Sequence, residues 1–286
     1  MAEIDKKKMS LDEIIANKEL FLKNYQLEDE FEKSGYTWTE LMDIASEFDK
    51  NRREKYPRII QKYISEIATF DGIHSYRYRI KETDSLIKKI ITKANTKKKK
   101  VTINNYLTNI TDLLGIRLLY VFKEDYYKVH KQLIEKYQHL LVENVHIKLQ
   151  KGDDESLYER ILDCDPIPEY NSTYRSIHYT LCADENDMKG ARLEIQTRTI
   201  FEEGWSEINH KLVYKNQNVD DYFVLLQASK ILSTLVGNCD TLGMLMKNIY
   251  DEYSKRISYS PQNSRLDEKT DKVMNEVLRD FLMGSS

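Results

Sequence analysis

The spacing of apolar side chains changes at Asp71-Gly72, and that change limits what the chain can fold into. Before it, Leu41, Ile44 and Phe48, then Ile59, Ile60, Tyr63, Ile64 and Ile67, recur every three or four positions, on one helix face. After it, residues 73–80 alternate as a strand does. Strands are predicted again at 113–122, 142–149, 176–182 and 192–197. Helices over 83–93 and 125–140 lie between them, with 97–100 as a loop. Helical spacing returns at 202–214, 220–257 and 266–282. Helices, a mixed block, then helices predict an α+β domain with a sheet core and helical flanks.

Local signals agree. Ser10-Leu11-Asp12-Glu13 and Thr37-Trp38-Thr39-Glu40 fit the capping box, in which hydroxyl and carboxylate satisfy orphan amides at a helix start. Pro57 suits the first turn of a new helix. With 4 prolines and 9 glycines in 286 residues, long regular elements are expected. The division predicted is 1–70 helical, 71–216 the mixed domain, and 217–286 a helical extension.

A net charge of -3 argues against coating nucleic acid through global charge, while leaving room for a local basic patch. Cys164, Cys182 and Cys239 have no metal-ligand spacing and suit a reducing cytoplasm. The opening MAEIDKKKMS lacks the apolar stretch of a signal peptide, and no run reaches membrane-spanning length, so no membrane partner is expected.

Charge at the end of an apolar strand marks a candidate site, because a sheet core excludes it. Arg79-Ile80-Lys81, with Lys88 and Lys89 two turns later, fits a phosphate seat or a solvated basic face. Asp112-Leu113-Leu114-Gly115-Ile116-Arg117 places an acid, a glycine and an arginine in one apolar run, for an ion site or a structural pair. In 174–179, Tyr174, Ser176 and His178 share one face, where the tyrosine could stack on a base or on a neighbouring strand. In 192–199, Arg192, Glu194, Gln196 and Arg198 form a polar face opposite Leu193 and Ile195. That face fits solvent exposure, or a Mg²⁺ site made by Glu194 with Asp112.

Taken in order, RIKETDSLIKK at 79–89, ITDLLGIRLLYVF at 110–122, STYRSIH at 172–178 and LEIQTRTIFEEGWSEINHKLVYK at 193–215 resemble the synthetase domain of the RelA/SpoT family. The resemblance, over about 70–216, implies a mixed-sheet nucleotidyltransferase-like core. It also implies transfer of pyrophosphate from ATP to the 3′-hydroxyl of GDP or GTP. By the same resemblance, Arg79 and Arg117 sandwich the adenine, Lys81 and Lys89 face the phosphates, and Asp112 binds magnesium. Glu194 serves the metal and the attacking hydroxyl, Tyr174 stacks on the acceptor guanine, and His178 stands nearby.

Departures bear on the acceptor. The family's lysine and glycine before the stacking tyrosine are here Tyr170 and Thr173, and its amide and carboxylate contacting the acceptor base correspond to Glu203 and Asn209, with acid and amide exchanged. Lys97–Lys100 and the altered loop suit an alternative acceptor, the 3′ end of transfer RNA, used by toxic small relatives. No His-Asp dipeptide of a hydrolase domain occurs, so synthesis without degradation is expected. Control would then come from a homo-oligomer, an antitoxin or another regulatory protein.

Overall fold

The computed structural model describes residues 9–97, 100–150, 153, 167–171, 173–183, 190–214 and 222–259. Lys98, Lys99, Cys164 and the helix expected at 266–282 lie outside the described residues.

Five helices precede the sheet: α1 Leu11–Ala16, α2 Lys18–Tyr25, α3 Glu28–Ser34, α4 Trp38–Glu54 and α5 Tyr56–Ile67. Both expected capping boxes form. The Ser10 hydroxyl accepts from the Glu13 amide, and the Glu13 carboxylate accepts from the Ser10 amide. Thr37 and Glu40 do the same at the start of α4. Pro57 sits in the first turn of α5, where its missing N–H costs no helix bond.

The mixed block follows as β1 Ser75–Ile80, α6 Thr83–Lys97, α7 Tyr106–Asn109, β2 Leu114–Tyr120, α8 Asp125–Tyr137, β3 His146–Gln150, β4 Ile167–Asn171, β5 Ser176–Cys182 and β6 Arg192–Thr199. The strands form one mixed sheet in the order β1-β2-β6-β5-β3-β4. Pairs β1/β2, β6/β5 and β5/β3 are antiparallel, and β2/β6 and β3/β4 are parallel. One sheet face is the core. Leu114, Ile116, Leu193, Ile195, Ile177, Tyr179 and Ile147 are buried there in the same cluster as Ile60, Ile64, Ile87, Ile91 and Leu133 of the helices.

Helices α9 Ile200–Asn209 and α10 Tyr222–Tyr259 complete the described chain, with a π-helical turn over His210–Tyr214. Several expected boundaries move. Helix α6 continues past residue 93 to Lys97, and β6 runs to Thr199. Helix α9 starts two residues before 202, because Thr199 and Glu202 make a third capping box. The strand expected at 142–149 splits. Leu141 bridges Leu181, the Val142 amide bonds Thr180, and β3 begins only at His146. Of the span expected at 220–257, the described residues from Tyr222 onward form a single helix.

Two compact units divide the chain, Met1–Thr241 and Leu242–Ser286. The described part of the second unit, 242–259, is helical, with Lys247 paired to Asp251 at 2.9 Å. Among the described residues no helix is long and apolar enough to cross a membrane.

Candidate active site

Strand register lines residues up in rows across the sheet. Arg79 pairs with Gly115, Gly115 with Glu194, and Glu194 with Thr180. The next row is Arg77, Arg117, Gln196 and His178. Members of the two rows are two residues apart on every strand, so both rows face the same side, away from the core. A cleft of about 220 Å³ opens over them and is also lined by Tyr78 and, from α9, Glu207.

Gly115 creates the room. A Cβ there would stand 3.4 Å from the Arg79 Cγ, so the bare backbone lets the arginine side chain lie across β2. Strand β1 is an edge strand and largely exposed, which leaves Arg77 and Arg79 open to the cleft.

Arg117 is more constrained. Its NH1 donates to Glu203 Oε1 at 2.8 Å and to Glu207 Oε1 at 2.8 Å. Burial weakens the charged guanidinium, but the bonds to Glu203 and Glu207 outweigh it and raise the Arg117 pKa. Glu203 is buried and also faces Arg77 NH1 at 3.4 Å and Arg198 NH1 at 3.5 Å. It ties three arginines together from behind the cleft, while Glu207, whose side chain is 53% exposed, is the open carboxylate.

Asp112, in the turn before β2, gathers the lysines. Lys81 Nζ lies 2.8 Å from Oδ2 and Lys89 Nζ 2.8 Å from Oδ1. Burial pushes the Asp112 carboxyl up, but the two ammonium groups outweigh it and hold it at about 2. Lys81 moves the other way, because its own burial outweighs the attraction of Asp112 and lowers its pKa.

Glu194 faces the cleft with Oε2 accepting from Gln196 Nε2 at 2.6 Å and Oε1 3.4 Å from His178 Nδ1. Burial raises its pKa, and bonds from His178 and Gln196 more than reverse this, so it titrates below the usual carboxylate range. Asp112 is close enough to oppose that lowering electrostatically. The two acids therefore share one neighbourhood, though Asp112 is engaged by lysines and does not itself line the cleft.

Beyond Glu194 the polar face continues as a hydrogen-bonded chain. The Tyr174 hydroxyl accepts from Arg198 NH2 at 2.6 Å and lies 3.4 Å from Gln196 Oε1 and 3.3 Å from His178 Nε2. The Arg198 guanidinium sits over the Tyr174 ring, 5.1 Å from its centroid, a cation–π arrangement.

The remaining expected site residues lie elsewhere. Ser176 is buried, with its hydroxyl spent on the Thr197 carbonyl. Arg192 is buried at the start of β6 and bonds the Gly190 carbonyl. Asn209 turns toward α10 and accepts from the Ser229 hydroxyl at 2.7 Å. Arg77, Tyr78 and Glu207 line the cleft without having been expected there. The alternation that selects Arg79 also selects Arg77, and Glu207 falls one turn after Glu203. Both signals were present.

Among the described residues no cluster of three or more metal-ligating side chains occurs. Two ionised carboxylates in one neighbourhood do suit a hard cation that takes its other oxygen ligands from water and phosphate.

Comparison with known proteins matches residues 78–219 to the region found in RelA / SpoT proteins. The GTP pyrophosphokinase YwaC of Bacillus subtilis is 25% identical over 167 residues, 57% of this chain and 69% of that protein. The solved small alarmone synthetase 1 of Bacillus subtilis bound to its product pppGpp is 19% identical. It overlaps 71% of this chain and 96% of its own at a TM-score of 0.49. A GTP pyrophosphokinase family protein of Streptococcus pneumoniae is 20% identical, overlapping 77% and 95% at a TM-score of 0.45. The matched stretch, residues 78–219, contains every residue lining the cleft except Arg77.

Proposed function

We propose that this protein is a GTP pyrophosphokinase: it transfers the terminal pyrophosphate of ATP to the ribose 3′-hydroxyl of GDP or GTP, giving (p)ppGpp and AMP. The observation that carries this reading is Glu194, ionised in a cleft with Arg79 in its own row of the sheet, Arg117 in the next, and the Asp112–lysine cluster within electrostatic reach. The family match and the relative named GTP pyrophosphokinase support it.

Arg79 and Arg117 offer flat cationic surfaces on which an adenine can stack, with their edges free for in-plane bonds to carboxylates. Lys81 and Lys89, now paired with Asp112, gain phosphate oxygens as partners when a triphosphate arrives. Asp112 and Glu194 would then hold Mg²⁺, which supplies charge neutralisation at the triphosphate.

Glu194, held ionised, accepts the proton of the 3′-hydroxyl as that oxygen bonds to the β-phosphorus. The bond from the β-phosphorus to the α–β bridging oxygen breaks, and AMP leaves with that oxygen. The proton on Glu194 returns to solvent. Positioning and charge stabilisation lower the barrier, and no covalent nucleophile is used.

Tyr174, fixed through its hydroxyl, presents its ring to the acceptor guanine, with His178 and Gln196 bridging to Glu194. Glu203, bonded to Arg117, and Asn209, bonded to Ser229 of α10, would act on the acceptor side through those partners. In this reading the chemistry lies within 71–216, leaving the flanks 1–70 and 217–286 for a homo-oligomer or regulatory contact. Its nucleotide substrates place the activity in the cytoplasm.

The test is transfer from γ-labelled ATP with Mg²⁺ to GDP, GTP or deacylated transfer RNA in separate reactions. Label on a guanine nucleotide is expected. Label confined to RNA, or no transfer at all, contradicts the reading.

A further inference from the structure

Within the first unit, residues 222–241 of α10 pack with their polar side inward. Ser229, Ser233 and Asp240 are buried, whereas Val224, Ile231 and Leu235 on the same helix are 62%, 63% and 54% exposed. A helix normally buries its apolar stripe. The inversion directs attention to what the buried polar groups hold.

Ser233 lies between the two neighbours of Tyr174. Its hydroxyl donates to the Thr173 carbonyl at 2.6 Å and accepts from Arg175 NH1 at 3.0 Å, and its carbonyl accepts from the same nitrogen at 2.9 Å. Arg175 is fixed on its other edge by Asp153, with two bonds of 2.8 Å. One turn earlier, the Ser229 carbonyl accepts from Trp205 Nε1 at 2.9 Å, and its hydroxyl bonds Asn209. Further along, Asp240 accepts from the hydroxyl of Thr199, the N-cap of α9, at 3.1 Å. Gly237 permits the close approach, since a Cβ there would stand 3.2 Å from Arg175 NH2.

We propose that α10 splints the site, with Ser233 a positioning residue that sets Tyr174 through Thr173 and Arg175. That Tyr174 serves the acceptor rests on the function proposed above. The splint itself does not. Buried hydrogen bonds on both sides of one residue, one to the Thr173 carbonyl and one from the Arg175 guanidinium, fix its peptide orientation, and Tyr174 needs that orientation for its hydroxyl to meet Arg198 and Gln196. Small shifts in such a residue cost binding or rate steeply.

The experiment compares the full chain with Ser233→Ala, Gly237→Ala and Ile231→Ala, the last on the exposed face. Amide hydrogen exchange of the 173–178 segment is measured first, then KM for acceptor and for ATP. Ser233→Ala should speed exchange in that segment and raise the acceptor KM about tenfold, with the ATP KM within about twofold. Gly237→Ala should give the same split more weakly, and Ile231→Ala should change neither. Unchanged exchange at 173–178 in folded Ser233→Ala, or equal movement of both KM values, overturns the splint. Should the wild type transfer nothing to any acceptor, the functional reading fails, and the exchange measurement alone judges the splint.

Discussion

The two sides of the cleft are held by different forces. Around Asp112 the contacts are ionic, two ammonium groups on one carboxylate, with the Lys89 side chain 36% exposed. Around Tyr174 a buried serine holds the Thr173 carbonyl through its hydroxyl and the buried Arg175 guanidinium through its carbonyl. Ion pairs near solvent exchange partners readily, because water and incoming phosphate compensate the charge that is uncovered. Buried hydrogen bonds do not, because a broken one leaves an unsatisfied group. One side is therefore built to re-pair when a triphosphate enters, and the other to stay in place.

The comparison breaks most sharply at Asp112. Asp112→Asn removes a proposed metal ligand and leaves Lys81 and Lys89 unpaired. We expect at least a ~100-fold loss of transfer, the scale of a mispositioned reacting group. Measured kcat with a folded variant checks this, and near-normal turnover would remove Asp112 from the mechanism. Asp112 should also mark the acid limit of stability. Its folded pKa of about 2 lies below its ordinary value, so its contribution is complete above about pH 4 and is lost as pH falls toward 2. An acid titration of wild type against Asp112→Asn should show that difference disappearing over this window.

Gly115→Val tests the donor side by sterics alone. Branches on a Cβ already 3.4 Å from the Arg79 Cγ must displace the arginine, and the ATP KM should rise about tenfold with the acceptor KM little changed. This is the mirror image of the split expected for Ser233→Ala. Glu207→Gln is milder. Arg117 keeps Glu203 but loses one of two carboxylates, so an ATP KM shift within about threefold is expected in steady-state kinetics.

The smallest effect is on the splint. Asp240 is buried beside Glu202, and burial first, then that neighbouring charge, pushes it up to about 7. A folded pKa above the unfolded one means its contribution is fully present below about pH 4 and is lost as pH rises through 7. Asp240→Asn should raise Tm by about 2–4 °C at pH 8 and leave it nearly unchanged at pH 4.

Much of the site was legible because strand alternation is local. Arg79, Arg117, Glu194 and Gln196 share a face by counting alone, and only the pairing of β1, β2 and β6 was needed to join them. The third capping box, Thr199 to Glu202, obeys the same four-residue pattern as the first two. Strand β4 was not legible. Pro168 interrupts its pattern, and a proline is tolerated there because the strand lies at the sheet edge. Ser229 and Ser233 were illegible for a different reason, since their partners lie 20 to 83 positions away and a helical serine announces no tertiary bond.

The central claim is that Glu194 serves the reacting hydroxyl. It is tested most directly by Glu194→Gln, close in shape and without the charge, in the labelled-ATP assay with GDP and GTP. A folded protein that transfers no detectable label to either nucleotide is expected. Transfer at the wild-type rate would contradict it.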